Sequence, residues 1–126
     1  MTSQVDVTVT PLKRKGNELY CAIEGPHVKG GVLELDKASK HTLTFELAPG
    51  TGLKFVDPQD KPFCSDANNC PGKNDQDPQF SGIAVSNGGQ TLTVNADAGT
   101  QDVVHYALRV TDGTGTLTCD PIIIND

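Results

Sequence analysis

One bond in this chain has chemistry its neighbours lack: Asp120–Pro121, in the C-terminal stretch LTCDPIIIND. An Asp-Pro bond is labile because the aspartyl carboxylate can attack its own carbonyl carbon. The tertiary proline nitrogen, with its weaker amide preference, then leaves more readily than an ordinary amide. Asp-Pro occurs three times, at 57–58, 77–78 and 120–121, where 12 Asp and 8 Pro in 126 residues give about one by chance. Cleavage near neutral pH needs an ionised carboxylate as nucleophile, an acid for the leaving nitrogen and donors for the oxyanion. His105 and Arg109 are nearby residue types that fit the acid and the electrostatic stabiliser, and a second carboxyl with a raised pKa would serve as the acid equally well. The plainer alternative is that Asp120 pairs with Arg109 on the surface and ends its strand.

The element that must position these residues is a C-terminal hairpin, DVVHYALRV–TDGTGT–LTCDPIII. Val104, Tyr106, Leu108 and Val110 are apolar at every second position, the period of a half-buried strand, and Leu117, Cys119, Pro121 and Ile123 repeat it. Asp112-Gly113-Thr114-Gly115 supplies the turn. With Gly113 and Thr114 at its tip, Leu108 faces Cys119 and Ala107 faces Asp120, which brings both apolar sets to one side. Asp120 then falls on the other side, with His105 and Arg109 as diagonal neighbours. Pro121 cannot donate to a ladder, so this arm is expected at a sheet edge or broken there.

The rest of the chain follows the same rhythm. Val5, Val7 and Val9 alternate up to Pro11, and Leu19, Cys21 and Ile23 up to Gly25-Pro26. Val32 to Leu35 follows Gly30-Gly31, and Leu43, Phe45 and Leu47 run to Pro49-Gly50. Leu53 and Phe55 come next; then Ile83 and Val85 turn at Asn87-Gly88-Gly89 into Leu92 and Val94. A helical period is missing apart from a turn near 36–40. Eight or nine short strands punctuated by Gly, Pro and Asn predict an all-β chain: one antiparallel β-sandwich of immunoglobulin-like, Greek-key type over residues 1–126. Tyr106 in YALRVTDGTG resembles the tyrosine-bearing penultimate strand of that fold, whereas its Cys…Trp…Cys signature is missing, for there is no Trp. Residues 57–79, DPQDKPFCSDANNCPGKNDQDPQ, break the rhythm as a long acidic loop, a length that is usually functional or disordered.

A net charge of −6 and a pI near 4.8 argue against nucleic acid and anionic membranes as partners. Lys13-Arg14-Lys15, the one basic run, reads as a solvated turn. No apolar run approaches a membrane span, and MTSQVDVTVT has neither a charged n-region nor an apolar h-region, so a cytoplasmic protein is expected. In that compartment Cys21, Cys64, Cys70 and Cys119 are expected to be thiols, Cys21 and Cys119 as small buried hydrophobes. Cys64 and Cys70 could close a short disulfide under oxidising conditions. No paired C-x-x-C suggests zinc; the acidic loop makes a calcium-dependent module a third alternative, although it does not match the EF-hand spacing, and no cofactor is expected.

Asp120–Pro121 in CDPIIIND, on a small acidic all-β chain rich in Asp-Pro, resembles the bacterial DP-EP family, small proteins described as Asp-Pro endopeptidase-like. The resemblance implies aspartic-type peptidase activity on an Asp-Pro bond, here the chain's own, and carries over only Asp120 and Pro121. The Asp-Thr-Gly triplet of pepsin-like peptidases is absent. The alternative is a non-enzymatic immunoglobulin-like module that binds a protein partner through an edge strand or the 57–79 loop.

Overall fold

The computed structural model describes residues 2–35, 40–72, 79–97 and 103–125; the side chains of Thr2, Val103, Asp120, Pro121 and Asn125 are not described. The turn expected near 36–40 therefore lies almost wholly outside the described residues. The chain is all-β. Among the described residues eleven strands are formed: β1 (Thr2–Lys15), β2 (Glu18–Glu24), β3 (Val28–Lys29), β4 (Val32–Glu34), β5 (Lys40–Leu47), β6 (Lys54–Phe55), β7 (Phe63–Cys64), β8 (Phe80–Ser86), β9 (Thr91–Ala96), β10 (Val103–Thr111) and β11 (Thr116–Asn125). The alternation read from the sequence accounts for the long ones. Val5, Val7 and Val9 of β1, Leu43, Phe45 and Leu47 of β5, and Leu92, Val94 and Ala96 of β9 are all buried, with polar residues between them.

One correction concerns strand direction. Along the hydrogen-bonded path β8, β9 and β5 are antiparallel, but β5 runs parallel to β1, and β1 then pairs antiparallel with β2. β11 pairs antiparallel with β10 and parallel with both β2 and β4. The sheet is thus mixed, and the reason is connectivity. After the β1–β2 hairpin the chain leaves for β3 and β4, then returns along the free side of β1, the crossover that a parallel pair requires. Two further strands, β3 and β7, are two residues long and were not expected.

β1 also runs through Pro11, where it was expected to stop. Its pairing with β5 ends at Val9, so beyond that point β1 has an open side where a residue without N–H is tolerated, and a register shift between Pro11 and Lys13 absorbs the irregularity.

The two halves of the sheet, β8-β9-β5-β1-β2 and β3-β4-β11-β10 with β6 and β7, share one apolar core. Phe63 of β7 lies 5.2 Å from Tyr106 of β10, 5.1 Å from Phe80 of β8 and 6.1 Å from Phe45 of β5, ring centre to ring centre. Aromatic pairs at these separations add to simple area burial.

Tyr106 is fully buried, and its hydroxyl has no hydrogen-bond partner among the described residues, so burial pushes its pKa far above the ordinary phenol value. The immunoglobulin tyrosine corner, in which such a hydroxyl bonds back to the main chain, is accordingly not formed here. Tyr106→Phe removes an unsatisfied polar atom at little loss of packing and is expected to raise stability by roughly 1 kcal/mol in urea unfolding. Destabilisation of that size would instead mean that the hydroxyl has a partner, such as a buried water.

All four cysteines are bridged: Cys21 to Cys119 across 98 residues, and Cys64 to Cys70 across 6. This corrects the expectation of thiols. Cys119 is buried and Cys21 half-buried against the same core, on strands that become neighbours where β2 meets β11.

The β10–β11 turn is held by Asp112, whose Oδ1 accepts from Thr114 Oγ1 (2.7 Å) and from the N–H groups of Thr114 (2.9 Å) and Gly115 (3.0 Å). Arg14 of the β1–β2 hairpin donates to Oδ2 at 2.9 Å. The Thr114 hydroxyl first, then those amides and Arg14, hold the Asp112 carboxyl well below the usual carboxylate range. A depressed folded-state pKa stabilises at pH values above the unfolded carboxylate's ~4 and is lost as pH falls below it. Asp112→Ala is therefore expected to be less stable than the parent at pH 7, with the gap closing as pH drops below ~4. Urea midpoints from pH 2 to 7 check this, and a gap independent of pH contradicts it.

Candidate functional site

The expected register of the last hairpin holds from Thr111↔Thr116 through Leu108↔Cys119. It then shifts: Tyr106 pairs with Ile122 and His105 with Ile123, so Asp120 and Pro121 together oppose Ala107. The sequence reason is Pro121. A residue that cannot donate is accommodated by a bulge, and β11 changes its other neighbour over the same stretch, from β2 at Cys119 to β4 at Ile123. The Asp120–Pro121 bond thus lies where both ladders beside β11 are interrupted, as expected for a break at this proline. The side chains of Asp120 and Pro121 lie outside the description.

The bulge moves Asp120 one residue farther from His105 than a uniform register would. His105 itself is exposed. Arg109 is half-buried and directed elsewhere: its guanidinium Nη1 donates to the carbonyl of Asp60, while Nε is buried without a partner among the described residues. Its main chain continues the same work, the N–H donating to Pro62 O at 2.9 Å and the carbonyl accepting from Val56 N at 3.3 Å. Arg109 thus fastens the long loop to β10, a role invisible in the sequence because its partners lie some fifty residues upstream.

The described part of that loop, 57–72, is held throughout its length. Phe63 and Cys64 pair with Leu108 and Ala107 as β7, and the Cys64–Cys70 bond closes the following turn. Asp66 caps that turn by accepting from Asn68 N at 3.1 Å, and Lys61 Nζ donates to Gly72 O at 2.8 Å. Its inward residues are buried, whereas Asp57, Pro58, Gln59, Asp60 and Asp66 remain exposed. Two of these carboxylates, Asp57 and Asp60, line an open cleft of about 290 Å³ with Lys54, Phe55, Thr111 and Thr116. Its charged groups are two carboxylates and one amine, its polar side chains two hydroxyls, and its apolar lining residues Phe55 and Val56. Such a lining suits one cationic side chain with an aliphatic stem.

A second cleft of about 290 Å³ opens where β2 peels away from β11, between Ala22–Glu24 and Ile122–Ile123. Among the described residues Glu24 is its one carboxyl, and sequence reading had not singled it out. Among the described residues no group of three or more His, Cys, Asp or Glu side chains is arranged to hold a metal ion, and no helix is long and apolar enough to cross a membrane.

Fold and site together define a disulfide-stapled all-β chain with a rigidly mounted acidic loop. No family model matches the chain, and none of the curated proteins matches it.

Proposed function

We propose that this chain is a binding module of an oxidising compartment, and that the fastened 57–72 loop and its cleft take up a basic side chain of a protein or peptide partner. The observation that carries this reading is pre-organisation. A loop long enough to be mobile is held by a disulfide, a guanidinium and strand pairing, while its carboxylates are left exposed. Rigid presentation of exposed polar groups is how loops on β scaffolds recognise partners, because little ordering remains to be done on binding. Two disulfides in one small chain support an oxidising compartment in place of the cytoplasm expected from the N-terminus. The test is a titration with Gly-Arg-Gly and Gly-Glu-Gly peptides followed by amide chemical shifts. The arginine peptide should move Asp57, Asp60, Thr111 and Thr116, and Asp57→Asn with Asp60→Asn should abolish the movement. Equal response to both peptides, or none, contradicts the proposal.

The bulge favours a second reading, cleavage of the chain at its own Asp120–Pro121 bond. A peptide released from both ladders is freer to bring its carboxylate onto its carbonyl, and the cleft beside Ile122 and Ile123 carries a further carboxyl, that of Glu24. Loss of the last six residues, Pro121–Asp126, from the parent and not from Asp120→Asn would support it, with Asp57→Asn and Asp77→Asn as controls.

A further inference from the structure

Among the described residues several strand sides are open, and they differ in how they are guarded. Beyond Val9 the open side of β1 carries Pro11, a register shift, Lys13 and Lys15. The end strand β3 is two residues long and carries Lys29, which pairs with Glu34 at 3.9 Å. These are the devices by which proteins prevent strands of separate molecules from pairing: proline, lysine, irregularity and brevity. β8 is different. It is seven residues long, ends the hydrogen-bonded path, and among the described residues no backbone hydrogen bond of 81–86 reaches beyond β9. Its hairpin contains no charged residue from Phe80 to Ala96, in a chain of which 21% is charged.

The one irregularity in β8 is the register shift between Ser81 and Ala84. Gly82 takes positive φ there, and a Cβ at that position would run into the Asn95 side chain. Regular pairing resumes at Ala84, and Ile83 and Val85 remain half-buried at the margin of the core. The Pro58–Asp60 turn packs near β8 but leaves its backbone unpaired among the described residues.

We propose that β8 is a self-association edge, at which two copies of this chain pair β8 with β8 antiparallel about a two-fold axis and continue the sheet across the pair. Electrostatics selects a second copy as the occupant. Two molecules of net charge −6 repel each other, so association is least opposed where neither presents a charge, and an antiparallel pair of uncharged strands sets no like charges opposite one another. A two-fold contact also satisfies the same edge on both partners and closes without leaving a new one at that site. Half-buried Ile83 and Val85 then meet their counterparts and become more deeply covered. This inference is independent of the loop's role.

Sedimentation velocity over micromolar to millimolar concentrations tests it. The apparent mass of the parent should double with concentration. Ala84→Lys, at an exposed position in the strand, should hold the protein at monomer mass, because each lysine would face its own symmetry copy. Ser3→Lys, which changes net charge equally on β1, should leave the doubling in place. Hydrogen exchange separates loss of pairing from loss of fold. In the parent the amides of 81–86 should become protected as concentration rises, and in Ala84→Lys those of β5 and β9 should keep their protection while 81–86 lose theirs. A parent that stays monomeric to millimolar concentration overturns the proposal, as does a dimer that survives Ala84→Lys.

Discussion

Replacing Cys21 and Cys119 together by alanine is expected to lower the unfolding free energy by about 4 to 5 kcal/mol. Replacing Cys64 and Cys70 together is expected to lower it by only about half as much. The ratio follows from chain entropy. The first bond closes a loop across 98 residues and removes many conformations from the unfolded chain, whereas the second spans 6. Native domains are stable by only about 5 to 15 kcal/mol, so the first double variant should be near the limit of folding at 37 °C. Local structure points the same way. Backbone pairing between β2 and β11 is limited to Thr118↔Glu18 and Cys119↔Leu19, so the bridge fastens a seam that the ladder barely holds. Urea midpoints of both double variants, measured without reductant, check the ratio. Equal and small losses would show that packing alone holds the seam.

The second large effect is expected at Phe63. By its position in the sequence Phe63 belongs to a loop, yet its side chain is fully buried and meets the rings of Phe45, Phe80 and Tyr106. Phe63→Ala should therefore behave as a core truncation and cost about 3 to 5 kcal/mol, since rings drawn from three different strands cannot collapse into the space it leaves. Leu12→Ala makes the contrast. Leu12 is 68% exposed, and its loss should change stability by less than about 0.5 kcal/mol. If Phe63→Ala were as mild as Leu12→Ala, the loop would not be part of the core, and its rigid mounting would fail as well.

These two residues show where the sequence was informative. Strands with three or more alternating apolar residues, such as Leu43-Phe45-Leu47 and Val104-Tyr106-Leu108-Val110, declare their buried face through period two alone. β3 and β7 offer two residues each, too few for any period, so Phe63 and Cys64 read as loop. The parallel pairing of β1 with β5 has no local signature because it depends on the path taken between them. For the cysteines, the even number of four was the available signal, and it was outweighed by the cytoplasmic compartment expected of the chain. At the site, Pro121 did announce an interruption because the missing N–H is written in the residue. It gave no warning that the interruption would shift the register and carry Asp120 away from His105. Arg109 was found as a residue of interest, while its partner, the Asp60 carbonyl, is a distant main-chain atom that no motif encodes.

On the proposed reading this chain is a covalently stapled binding module whose own bonds stay intact. Intact-mass spectrometry of the unreduced protein, fresh and after incubation between pH 4 and pH 8, tests it most directly. One species is expected throughout: the intact chain, lighter by the four hydrogens lost in forming two disulfides and unreactive toward thiol reagents. Free thiols in the folded protein would contradict the stapled fold and the compartment inferred from it. A product ending at Asp120 that is absent from Asp120→Asn would replace the binding reading with cleavage at the bulge.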